Sequence, residues 1–137
     1  MKNKMLIGAT LLSLFMSNQA ISCDIENIFN GELELNITYN KEYGYESAII
    51  KQWGTGEKKG ISTIRGEIDP AKAGSWDIRD TESTVIGYIT KDLVVTDMDD
   101  DCNKTKIKLK KITKNKYQIL VGKVSIGEIQ GKLPIER

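Results

Sequence analysis

The most acidic stretch of the chain could bind a cation. Asp97, Asp99 and Asp101 alternate as the carboxylates at the start of a calcium loop do, because a hard cation needs several oxygens converging on it. The pattern then breaks, since Cys102 stands where an EF-hand needs glycine and Lys108 where it needs glutamate. We predict a solvated acidic turn between two strands and no metal site, and these three aspartates are the only calcium candidate.

A row of lysines follows the acidic stretch. Within residues 104–110 lysine alternates with threonine, isoleucine and leucine, so on a strand the lysines share one face. One interpretation is a face for an anionic partner made by Lys106, Lys108 and Lys110. The other is a plain solvent face, or an edge strand whose charges prevent edge-to-edge pairing. We expect the lysines to form a solvent face or a charged edge strand.

The chain contains no histidine. This removes the commonest general base near neutral pH and the commonest ligand of catalytic zinc. A Ser-His-Asp or Cys-His site cannot form, and no S-x-x-K or G-x-S-x-G motif occurs after residue 22. Two carboxylates could still act as an acid–base pair, as in glycosidases. No pattern selects such a pair among the nineteen acidic residues, so we predict no catalytic residues and no cofactor.

The two cysteines, Cys23 and Cys102, are predicted to form a disulfide. Outside the cytosol, two cysteines in a small domain are most often joined. The alternative is a lipoprotein acylated at Cys23, because the preceding residues resemble a lipobox. Ala20 replaces the usual leucine of that motif and Ile21 is bulky for its position, so we favour the disulfide.

Residues 1–22 read as a cleaved signal peptide. Lys2 and Lys4 give a positive start, an apolar run of twelve residues follows at 5–16, and Ala20 and Ser22 are the small residues that signal peptidase needs. The apolar run is too short for a permanent membrane span. We therefore expect a periplasmic or secreted protein, with a lipid anchor at Cys23 as the alternative.

The remaining residues, 23–137, have the usual size of a single domain. The first 22 residues contain two of the twenty Lys and Arg residues and none of the nineteen Asp and Glu, so residues 23–137 have a net charge of −1. Such a chain lacks the overall positive field of a nucleic-acid binder. No later apolar run is long enough to cross a membrane.

Period-two alternation dominates residues 23–137 and predicts strands. The clearest case, Glu32–Tyr39, places Leu33, Leu35, Ile37 and Tyr39 on one face. Further runs with turn formers between them lie at 47–53, 60–68, 76–79, 84–90, 93–96, 105–112, 117–121 and 124–130. The fold class is therefore all-β: a small antiparallel barrel, sandwich or curled meander of about eight short strands.

These features favour a non-catalytic binding module of the bacterial envelope or extracellular space, such as an inhibitor or immunity-type protein. Its partner would be another protein or an envelope polymer. The alternatives are a histidine-independent carboxylate enzyme and a lipid-anchored structural protein.

Overall fold

The alternating segments form nine strands that run up and down around a closed barrel. The computed structural model describes residues 23–135, and the predicted signal peptide at 1–22 lies outside them. One short helix, α1 (Asp24–Ile28), precedes the strands. The strands are β1 (Gly31–Asn40), β2 (Tyr45–Trp53), β3 (Ser62–Pro70), β4 (Trp76–Arg79), β5 (Val85–Ile89), β6 (Val94–Asp97), β7 (Ile107–Thr113), β8 (Lys116–Val121) and β9 (Val124–Gln130).

The predicted all-β fold is confirmed, with nine strands where about eight were expected. Each strand pairs antiparallel with its neighbour in the chain, but β9 pairs parallel with β1 from Gly127 opposite Gly31 to Gln130 opposite Glu34. The parallel seam follows from the strand count. In an up-and-down meander with an odd number of strands, the first and last strands point the same way, so closing the barrel joins them in parallel.

Alternation along each strand sends one set of side chains into the barrel. Leu33 and Leu35 of β1 are buried as predicted, whereas Tyr39 is 49% exposed near the end of that strand. The fully enclosed aliphatic positions come from strands all around the barrel: Ile50, Ile68, Ile78, Ile89, Leu109, Ile119 and Ile129. The interior is therefore a packed hydrophobic core.

Helix α1 covers one end of the barrel, which we call the helix end. Ile25, Ile28 and Phe29 are at most 3% exposed and belong to the core. The Gln52 side chain donates a hydrogen bond to the Asn30 carbonyl at 3.0 Å, which fixes the chain just after the helix. The sequence analysis did not predict this helix, because five residues are too few to show a helical period.

A disulfide joins Cys23 to Cys102 and ties α1 to the loop after β6. This confirms the predicted pairing and agrees with an oxidising compartment. A sulfur in a disulfide cannot carry the diacylglyceryl thioether of a lipoprotein, so the lipidated alternative does not describe this form of the protein. Among the helices of residues 23–135, none is long and apolar enough to cross a membrane.

Candidate functional site

A groove of about 730 Å³ lies at the opposite end of the barrel, which we call the open end. Four pieces of chain form its walls: the turns at 70–76 and 91–93, the β7–β8 hairpin at 111–117, and residues 132–135, which follow the last strand. The volume falls within the range of about 300–1,000 Å³ that is usual for small-molecule sites.

Residues 131–135, which we call the C-terminal segment, are fixed across this end by hydrogen bonds. The Trp76 indole N–H donates to the Pro134 carbonyl at 2.8 Å, and the Ile135 N–H donates to Glu46 Oε1 at 3.1 Å. The Gly131 N–H donates to the Asn115 carbonyl at 2.7 Å. The segment is therefore an ordered wall of the groove.

The floor of the groove is mostly apolar and aromatic: Trp76, Leu93, Tyr117, Leu133 and Pro134. Tyr117 is only 5% exposed, and its hydroxyl has no hydrogen-bond partner among residues 23–135. Because Tyr117 lines the groove, its hydroxyl can bond to water or to a ligand there.

Leu93 has an unusual backbone conformation at the edge of the groove. Its φ is +67°, in the left-handed region that costs a residue with a Cβ about 1–2 kcal/mol. Glycine or asparagine would fit this turn better. Strained positions of this kind are common at functional sites. The Leu93 side chain lines the groove.

Four exposed lysines surround this floor: Lys91, Lys111, Lys114 and Lys132. None of them takes part in either of the two ion pairs found within residues 23–135. Among residues 23–135, no acidic residue lines the groove. The groove therefore combines an apolar floor with a positive potential that no lining carboxylate offsets, which suits an anionic ligand with an apolar part.

The predicted lysine face lies next to this groove. Lys106, Lys108 and Lys110 are exposed, and the last two belong to β7. The edge-strand explanation fails for Lys108, because that residue pairs with β6 and with β8. The edge-strand explanation still applies at the end of β7, because residues 110–113 pair with β8 alone. Lys111 follows Lys110 on this end and belongs to the groove.

The groove was not predicted from the sequence. Lys91, Lys111 and Lys132 come from three separate parts of the chain, and only the barrel brings them together. Trp76 packs against the core while its N–H holds the C-terminal segment. No local spacing could have joined these residues.

The acidic loop after β6 uses its carboxylates to hold backbone groups. Asp97 Oδ1 accepts a hydrogen bond from the Asp99 N–H at 2.9 Å, and Asp99 Oδ1 accepts one from the Asp101 N–H at 3.0 Å. Asp97 Oδ2 accepts from the Ile25 N–H of α1 at 3.4 Å. Within the described part of the chain, no group of three or more acidic or cysteine side chains is placed to hold a metal. The absence of a calcium site stays a prediction.

A second cluster of ionisable groups lies across β2, β3 and β4. Asp69, 5% exposed, accepts hydrogen bonds from Ser47 Oγ at 2.5 Å and from Arg79 Nε at 3.0 Å. Burial raises the pKa of Glu67, the neighbouring Asp69 raises it further by a hydrogen bond and by its charge, and Arg79 lowers it in part. Asp69 thus has three polar neighbours within the sheet, which suits a structural role.

The raised pKa of Glu67 predicts a pH-dependent stability. The folded state holds the Glu67 carboxyl proton more tightly than the unfolded state does. The contribution of protonated Glu67 to stability is therefore full below the unfolded pKa of about 4.3 and is lost as pH rises through the folded pKa. We expect Glu67→Gln to raise the unfolding midpoint above that of the wild type at pH 7 and to match it at pH 4. Glu57→Gln, the same change at an exposed position, is the control in thermal melts. Equal midpoints at pH 7 would contradict the assignment.

Comparison of the chain with protein-family models, with curated proteins and with solved structures gives no match. The functional argument therefore rests on the geometry and charge of the groove.

Proposed function

We propose that the protein is an exported, non-catalytic binding module that takes an anionic ligand into the groove at the open end of the barrel. One observation carries the proposal. Four lysines that form no ion pair within residues 23–135 line the groove together with apolar side chains, and no carboxylate of these described residues lines it. Residues 23–137 have a net charge of −1, so this positive region is a local feature and does not reflect the overall composition.

Export to the periplasm or the outside is part of the proposal. The disulfide supports it, because such bonds persist in oxidising compartments and are rare in the cytosol. The signal-like pattern of residues 1–22 supports it independently. An inhibitor or immunity-type role would follow if the anionic ligand belongs to a partner protein.

Binding of the fluorescent anion 8-anilinonaphthalene-1-sulfonate tests the proposal, because this probe has a sulfonate and an apolar ring system. We expect saturable binding that weakens with salt, since the Debye length falls from about 10 Å at 0.1 M to about 3 Å at 1 M. The groove variant, Lys111→Gln/Lys114→Gln/Lys132→Gln, should bind about tenfold more weakly. Three surface charges at about 0.5 kcal/mol each give this factor.

The matched control is the face variant, Lys106→Gln/Lys108→Gln/Lys110→Gln. The face variant also removes three positive charges, but from the neighbouring surface, so any effect of net charge is equal in the two variants. We expect the face variant to keep wild-type affinity. Equal weakening in both variants, or no saturable binding by the wild type, would contradict the proposed site. Circular dichroism confirms that each variant is folded.

A further inference from the structure

We propose that the groove binds a single-chain amphiphile with an anionic head, a fatty carboxylate or an alkyl phosphate. The inference rests on the proposed function and names the ligand class of the same site. It follows from three properties of the groove: a mostly apolar floor, exposed lysines around it, and a Tyr117 hydroxyl that bonds to no group within residues 23–135.

The floor supplies the surface for an alkyl chain. Trp76, Leu93 and Leu133 come from three separate parts of the chain and line one open groove. An apolar chain laid along them removes hydrocarbon surface from water on both sides, which is the main source of affinity for such ligands. The barrel interior is already filled by aliphatic side chains from every direction, so the ligand lies in the groove and not inside the barrel.

The rim supplies the contacts for the head. Lysine ammonium groups act as point charges, so they bind carboxylate and phosphate oxygens alike and lack the planar fork by which arginine selects geometry. Lys111 lies in β7, Lys114 lies in the β7–β8 turn, and Lys132 follows Gly131, whose N–H is bonded to Asn115 of that turn. The Tyr117 hydroxyl can donate a hydrogen bond to a head-group oxygen in the groove.

Displacement of the bound fluorescent anion tests the ligand class. Dodecanoate and dodecyl phosphate should displace it, whereas dodecyltrimethylammonium, with the same tail and a positive head, should not. Octanoate should compete at least tenfold more weakly than dodecanoate, because each fully buried methylene changes affinity about fourfold and an open groove buries a part of each. The better of the two anionic heads identifies the source of the ligand as a fatty acid or a lipid phosphate.

A variant of Leu93 separates tail contacts from head contacts. Asparagine suits the positive φ of this position and removes the branched apolar side chain, so Leu93→Asn keeps the turn and shortens the floor. We expect it to weaken dodecanoate at least fivefold and octanoate by less. The chain-length series on the wild type gives the same test if the variant does not fold.

The outcomes distinguish this inference from the function on which it rests. If the fluorescent anion binds the groove but dodecanoate and dodecyl phosphate do not displace it, the amphiphile proposal is wrong and the anionic site stands. Displacement by a hexaglutamate peptide at lower concentration than by dodecanoate would also overturn it, in favour of an acidic peptide. If the fluorescent anion does not bind at all, both proposals fail.

Discussion

Replacing Cys23 and Cys102 together by serine is expected to lower the free energy of unfolding by about 4 kcal/mol. The two residues are 79 positions apart, so the disulfide closes a loop that covers most of the described chain. In the chain-entropy model, a loop of this length restricts the unfolded ensemble strongly and therefore favours the folded state. Replacing both residues avoids a free thiol that could form wrong bonds.

In addition to this loss of global stability, the helix end should open locally when the cross-link is absent. A five-residue helix has no stability of its own in water, so α1 depends on its packing and on its covalent tie. Ile25, Ile28 and Phe29 are buried only while the helix stays in place. The groove lies at the other end of the barrel and should keep its affinity for the fluorescent anion.

Urea unfolding followed by tryptophan fluorescence measures the effect, and amide exchange at residues 24–29 localises it. The wild-type protein reduced with dithiothreitol is the matched control, because it lacks the cross-link but keeps both cysteines. It should unfold at the same urea concentration as the double serine variant. A loss below about 1 kcal/mol, or protection at residues 24–29 that falls no further than in the barrel strands, would show that the disulfide does not hold α1 in the way proposed.

Alternation in the sequence was enough to find the strands. The predicted bounds of the runs at 76–79 and 124–130 agree with β4 and β9, and the other runs differ by one or two residues at one or both ends. The signal is strong because the barrel has one buried face and one exposed face, so each strand repeats with period two. Alternation does not predict burial at the end of a strand. Tyr39 alternates in register with the buried leucines of β1, but it is exposed near the end of that strand.

The barrel closure and the groove could not be predicted from the sequence, because both depend on contacts between distant residues. Nothing in the sequence distinguishes a closed barrel from a sandwich, because closure depends on how β9 meets β1. The groove combines Trp76, Lys91 and Lys132 from three distant parts of the chain, and their proximity appears only after the barrel has closed. The row of Lys106, Lys108 and Lys110 was visible because its spacing is local, but the groove that it adjoins was not.

The parallel seam that closes the barrel contains a pair of glycines that face each other. Gly127 of β9 lies opposite Gly31 of β1, and a Cβ added to Gly127 would collide with the backbone oxygen and nitrogen of Gly31. The colliding atoms belong to the main chain, so they cannot move away by rotating a side chain. The seam therefore needs glycine at position 127 for steric reasons.

Gly127→Ala is accordingly expected to cost about 3 kcal/mol, the upper part of the usual range for overpacking. The matched control is Gly122→Ala in the β8–β9 turn, where φ is +62° and no heavy atom lies within 4 Å of the added Cβ. There the cost comes only from the left-handed backbone and should be about 1 kcal/mol. Urea unfolding of the two variants separates steric exclusion from backbone strain. If Gly127→Ala costs no more than Gly122→Ala, then β9 and β1 can move apart without loss, and the parallel seam is not the tight closure that this glycine pair indicates.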